Sequence, residues 1–142
     1  VVQLDYAALK AAALAARERA YAPYSRFLVG AAVLTASGKI FPGCNIENAA
    51  YSVGVCAERA ALFSAYAAGE QHIVAMAVVT ATEAVASPCG ACRQVMIELA
   101  PDCPVLLFNL RGDEQISSSR ALLPNSFGTS QLDEAARHQA EA

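Results

Sequence analysis

Two short segments hold the side chains best suited to chemistry: Cys56-Ala57-Glu58 and Pro88-Cys89-Gly90-Ala91-Cys92. Cys89 and Cys92 are three apart, so on a helical turn their thiols share a face. Cys-x-x-Cys is a common half of a zinc site, and Cys56 offers a third thiolate from elsewhere in the chain. Three protein ligands leave the fourth position of a tetrahedral ion to water, as in a catalytic rather than a structural zinc. Bound zinc brings the pKa of water from about 15.7 towards roughly 7. Three thiolates work against this, because −3 against +2 leaves the cage at about −1. Two offsets are at hand. Each segment sits where a helix is expected to start, and a helix N-terminus acts like about +0.5 of a charge. Arg59, beside Glu58, is expected to hydrogen-bond the cysteine sulfurs. Glu58, two residues past a ligand, lies near the metal without being needed as a ligand. A carboxyl there that cycles between acid and base could move protons between water and a leaving group.

Competing readings of the same residues stay open on spacing alone. A Cys-x-x-Cys pair can be redox-active or half of a structural site. Cys44 and Cys103 have no partner motif and read as small core residues. Either one, as a fourth ligand, would close the site and make it structural. His72 and His138 lie outside ligand spacing and read as surface residues.

The elements that must position these groups can be outlined from pattern. A helix is expected to start at Asp5, with Leu9, Ala13, Ala16 and Ala20 on its apolar face and Pro23 ending it. Leu28 to Ala36 and Lys39 to Ile46 read as a hairpin about Ser37-Gly38. Cys56 to Ala68 reads as a helix stopped by Gly69, and Cys89 to Leu99 as a second helix stopped before Pro101. Ile73 to Thr80 and Val105 to Asn109 are continuous apolar runs, typical of strands buried on both faces. Gln115 to Arg120 reads as a shorter last strand, and Leu132 to Gln139 as a short helix. This order implies one mixed sheet with helices on both faces.

The bulk properties exclude several classes. The 142 residues are expected to form a single domain, 1–142, able to bury a core without disulfides. The composition is 56% apolar with a mean hydropathy of +0.35, against roughly 45–50% for an average domain. That surplus suggests buried contacts between subunits. The net charge is −3, and the ten Lys and Arg residues are scattered. Nucleic-acid binding needs several phosphates neutralised together, so a polynucleotide substrate is not expected. No apolar run approaches the roughly 18–20 residues that span a bilayer, and no signal segment is expected. Five cysteines, an odd number, fit a reducing cytoplasm with thiolates used for metal rather than a disulfide framework.

Cys-x-Glu combined with Pro-Cys-x-x-Cys is close to the signature of zinc deaminases as a class. From about Tyr21 to Leu132 the sequence resembles the short cytidine deaminases that act on free nucleosides. The motifs are Tyr24-Ser25-Arg26-Phe27-Leu28-Val29-Gly30-Ala31-Ala32, Gly43-Cys44-Asn45-Ile46-Glu47-Asn48, Cys56-Ala57-Glu58-Arg59, Pro88-Cys89-Gly90-Ala91-Cys92-Arg93-Gln94, and Leu122-Leu123-Pro124-Asn125-Ser126-Phe127-Gly128. The resemblance implies a three-layer α/β/α sandwich with a five-stranded mixed sheet. It implies hydrolytic deamination of cytidine and deoxycytidine to uridine and deoxyuridine plus ammonia, with one zinc per subunit on Cys56, Cys89 and Cys92. An activated water attacks C4, and Glu58 shuttles protons, one to the ring N3 and one to the leaving amine. By the same resemblance Asn45 and Glu47 bind the ribose, Phe27 packs on the pyrimidine, and the backbone of Ala57 holds the base edge. Tyr51 and Phe127 match subunit contacts, with Phe127 reaching a neighbour's active site in a homotetramer. Longer dimeric relatives and polynucleotide editors use His as the first ligand, so Cys56 points to the short tetrameric type.

Overall fold

The computed structural model describes residues 4–142. Its elements are α1 (Tyr6–Arg17), β1 (Val29–Thr35), β2 (Ile40–Cys44), α2 (Ala57–Ala67), β3 (Ile73–Thr80), α3 (Gly90–Leu99), β4 (Pro104–Asn109), β5 (Glu114–Ser118), α4 (Ser119–Leu122) and α5 (Thr129–Glu141). The strands form one five-stranded sheet in the order β2-β1-β3-β4-β5. Only β3 and β4 run parallel; the other neighbours are antiparallel. The sheet is therefore mixed, as expected.

Strand periodicity divides the core. Ala32 and Leu34 of β1 face α1 and pack with Leu9, Ala13, Ala77, Val79 and Phe108. The alternate residues Ala31 and Val33 face the opposite way, with Ala61, Leu62, Ala65, Met96, Val78 and Leu107. One face thus carries α1 and the other carries α2 and α3. Two glycines set the spacing. A Cβ on Gly30 would lie 2.0 Å from the Ala13 carbonyl oxygen, and one on Gly43 would lie 2.4 Å from the Ala61 nitrogen. Any other residue at either position would push a helix off the sheet.

The register also places the site. Gly30 pairs with Cys44, Val29 with Thr80, and Thr80 with Asn109. The start of β1 and the ends of β2, β3 and β4 therefore share one sheet edge. The chain segments leaving that edge carry Phe27, Asn45, Glu47 and Cys89.

The structure corrects several expected boundaries. α1 stops at Arg17, well before Pro23, so Ala20 is not on its apolar face. The cause is a competing pairing. Tyr21 donates to the Asn45 carbonyl and accepts from the Glu47 amide, which forces this stretch into extended backbone. The last strand ends at Ser118 rather than Arg120, because the Ser118 hydroxyl accepts from the Ala121 amide and starts the short helix α4. A single tight helical turn at Tyr51–Val53 has no counterpart in the pattern reading. α5 runs longer than expected and buries none of its residues. Among the described residues, no helix is long and apolar enough to cross a membrane.

Candidate active site

Both cysteine segments open helices. Cys56 is the N-cap of α2 and Cys89 the N-cap of α3, each in extended backbone, and neither thiol caps its helix. Their carbonyls do start the helical ladders, accepting from the Ala60 and Arg93 amides at 3.0 Å each. The two thiols are thus free to turn towards each other. Cys92, in the first turn of α3, is buried. The three sulfurs lie within 4.8 Å of one another, with Cys56 and Cys89 3.8 Å apart. Tetrahedral zinc with bonds of about 2.3 Å needs sulfurs about 3.8 Å apart, so this donor set fits zinc.

No other His, Cys, Asp or Glu joins the cluster among the described residues. Cys103 is buried at the start of β4, where its thiol donates to the Pro104 carbonyl and burial pushes its pKa to about 12. Cys44 closes β2 on the hairpin, and burial raises its pKa as well. Neither supplies a fourth ligand. His72 and His138 are both exposed.

The electrostatics follow from this packing. Arg59 donates through Nη2 to the Cys56 sulfur at 3.4 Å, which sets its guanidinium against the cysteine cluster. Cys56 is lowered well below the ordinary thiol range, first by the Cys92 thiol and further by Arg59. Cys92 is raised, because it donates to Cys56 and is buried. Glu58 is only 4% exposed. Burial is the main cause that raises its carboxyl above the usual range, and the charge of Cys56 adds to it. A carboxyl pushed upward can hold a proton and release it, as a proton carrier must.

A cavity of about 470 Å³ opens beside Cys56 and Arg59, with Asn45, Glu47 and Tyr51 among its lining residues. This size suits a small polar ligand. Tyr51 is 80% exposed and meets Tyr24 edge to face at 6.0 Å. Ala57 is fully buried in the first turn of α2. Phe27 is exposed and does not line this cavity; Phe127 is exposed too and lines a different depression with Ile97 and Pro101. The cluster, Glu58, Arg59, Asn45, Glu47 and Tyr51 are therefore brought together, while Phe27 and Phe127 stand outside.

Two features went unseen in the sequence. Arg93 donates to the Pro88 and Leu122 carbonyls, and Gln94 donates to the Phe127 carbonyl, so α3 ties the metal loop to the segment after α4. Ser25 hydrogen-bonds Glu47 across twenty-two positions. No local pattern signals either link, since the partners are distant in sequence.

Comparison with known proteins decides the family. Residues 4–107 match the family described as the cytidine and deoxycytidylate deaminase zinc-binding region. The chain belongs to this zinc-binding deaminase family. A cytidine deaminase of Halalkalibacterium halodurans is 52% identical over 86% of this chain and 93% of its own length. One from Sporosarcina psychrophila is 49% identical over 94% of this chain and 98% of its own. A crystal structure of cytidine deaminase from Burkholderia pseudomallei superimposes with a TM-score of 0.85 at 54% identity, covering 87% of this chain and all of that one. The five-stranded α/β/α architecture is therefore that of the family.

Proposed function

We propose that the chain, acting as one deaminase domain, hydrolyses cytidine and deoxycytidine to uridine and deoxyuridine with release of ammonia. The observation that carries this reading is the trio of sulfurs at zinc spacing, at two helix N-termini, with Glu58 buried two residues beyond Cys56. Cys56, Cys89 and Cys92 would hold zinc, which would supply the Lewis acidity that makes a water molecule reactive towards C4. Glu58 accepts a first proton from that water and delivers it to the ring N3; it then takes the second proton, from the hydroxyl now on C4, and gives it to the amine, which leaves as ammonia while C4 becomes the carbonyl carbon. Arg59 and the first turns of α2 and α3 offset the charge of the three thiolates.

The cavity walls support a substrate class. Asn45 and Glu47 can each grip a sugar hydroxyl, and a carboxylate in that place repels a phosphate. This favours a free nucleoside over a nucleotide, although the family description names both. By the family resemblance the backbone of Ala57 would hold the base edge, and Phe27, which stands outside the cavity wall, would have to close over it to meet the pyrimidine. The relatives from Halalkalibacterium halodurans and Sporosarcina psychrophila, both cytidine deaminases, support this substrate.

The assembly we propose is a homotetramer in the cytoplasm. Tyr51, Val53 and Phe127 are 80%, 67% and 57% exposed, large apolar side chains that neighbouring subunits would cover. Phe127 lies away from its own chain's cavity, as a residue serving a neighbour's would. Five unpaired thiols suit a reducing compartment.

The loss of cytidine's ultraviolet absorbance on mixing with the zinc-loaded protein tests the activity. Turnover of cytidine and deoxycytidine far above cytidine monophosphate is the expected result. Faster turnover of the monophosphate would overturn the role given to Glu47.

A further inference from the structure

Asn45 and Glu47 are already engaged before any sugar arrives. Glu47 Oε1 accepts from the Tyr24 and Ser25 amides at 3.0 and 3.2 Å, and Oε2 accepts from the Ser25 hydroxyl. Asn45 Oδ1 accepts from the Val29 amide at 2.9 Å, and its Nδ2 donates to the Phe27 carbonyl at 2.7 Å. Together they pin the loop from Tyr24 to Val29 onto the segment after β2. An ionised carboxylate has about four acceptor sites and a primary amide has two N–H donors. Glu47 therefore keeps about one acceptor site free, and Asn45 keeps one donor. That is enough for one hydroxyl each and no more.

Ser25 stands at the centre of this arrangement. Its hydroxyl donates to Glu47 and accepts from the Phe27 amide at 3.0 Å. It thereby links a carboxylate in the cavity wall to the backbone of the aromatic residue outside the wall. Between them Arg26 adopts φ of 57°, a left-handed conformation that a non-glycine residue holds only when its surroundings enforce it. The Ser25–Phe27 hydrogen bond spans that residue, and the Arg26 amide donates to the Ala22 carbonyl at 2.9 Å; together they hold the conformation. The Ser25 hydroxyl is also the main cause that holds the Glu47 carboxyl below its ordinary range.

We infer that Ser25 is a positioning residue for nucleoside binding, fixing the free acceptor of Glu47 and the orientation of Phe27 through one hydroxyl. This rests on the substrate reading above. Ser25 touches neither the metal cluster nor Glu58, so it acts on binding and not on proton transfer.

The experiment is steady-state kinetics on the zinc-loaded protein with cytidine as substrate. Ser25→Ala is expected to raise KM about tenfold, as for loss of a hydrogen bond to a charged group. Its kcat stays within about threefold of the parent and its zinc content is unchanged. Ser25→Thr, which keeps the hydroxyl, is expected to bring KM back to near the parent value. An unchanged KM in Ser25→Ala overturns the inference, as does a fall in kcat with KM unmoved. A KM in Ser25→Thr as high as that of Ser25→Ala also overturns it. Absence of cytidine turnover in the parent protein would instead refute the substrate reading itself, so the two failures are distinguishable.

Discussion

Adding one methyl group at Gly43 should slow the enzyme more than it destabilises it. A Cβ there would lie 2.4 Å from the Ala61 nitrogen, 2.6 Å from the Ala57 carbonyl oxygen and 2.9 Å from the Ala61 Cα. These atoms are helix backbone, which cannot swing aside as a side chain can. Ordinary contact begins near 3.4 Å, so α2 must retreat from β2 by about 1 Å. Overpacking of this kind costs about 1–3 kcal/mol, against a total stability of about 5–15 kcal/mol for a domain. The Gly43→Ala protein should therefore still fold. The helix that moves carries Cys56 at its cap and Glu58 and Arg59 in its first turn. A misplacement of about 1 Å at reacting groups can cost about 10²-fold in rate. The 3.8 Å spacing of Cys56 and Cys89 would be disturbed by the same motion. Three measurements on one preparation decide the matter: the urea midpoint, zinc content after dialysis, and initial rate on cytidine. The expected pattern is a modest drop in midpoint, weaker zinc retention and a rate lower by about two orders of magnitude. A variant with the parent's rate and zinc retention would show that α2 has no need of its close seat on β2.

Two further substitutions separate metal binding from proton transfer. Glu58→Gln keeps the shape of the side chain but cannot carry a proton; it should retain zinc and lose about 10²–10⁴ in kcat or more. Parent-like turnover in that variant would remove Glu58 from the mechanism. Arg59→Ala takes away the donor to Cys56, and should weaken zinc affinity or activity by about 10–100-fold. Competition with a chelator of known affinity measures the first and initial rates the second. If neither changes, the helix termini alone balance the cage.

The helices and strands that build the site were legible because their signals are local. Gly69 takes a φ of +82° just past α2, and the apolar run of β3 ends where the pattern ends. Both cysteine segments were read as helix starts, and both fall at N-caps. What escaped depends on partners far along the chain. α1 looked longer because nothing near Ala20 announces that Tyr21 will pair with Ile46. The grip of Arg93 on Leu122 crosses twenty-nine positions. Glu47 was legible as a polar residue after a strand, but its contacts with Ser25 arise only when the sheet closes. Polar stretches such as 111–118 give weak strand signals, because β5 is an edge strand with its first three residues exposed.

The caps of α2 and α3 show what the site costs the fold. Ser, Thr, Asp and Asn are preferred at N-caps because their oxygens accept from the first-turn amides. Asp5 does so for α1, accepting from the Ala8 amide at 3.0 Å, and Ser118 does so for α4. Cys56 and Cys89 do not, so the first-turn N–H groups of both helices stay without a side-chain acceptor from the cap. Each such loss is about 1 kcal/mol. The same uncapped amides give the helix ends their positive character near the thiolates. Local stability is given up where the metal cluster needs charge. If this is so, Cys89→Ser should act in opposite directions on the two states of the protein. Its hydroxyl can cap α3, so with zinc stripped from both proteins the variant should be more stable by about 0.5–2 kcal/mol. With zinc supplied, it should lose the added stability that binding gives the parent. Urea titrations with chelator and with zinc measure both arms. A Cys89→Ser protein less stable than the parent in chelator would mean that the thiol already contributes to the fold without metal.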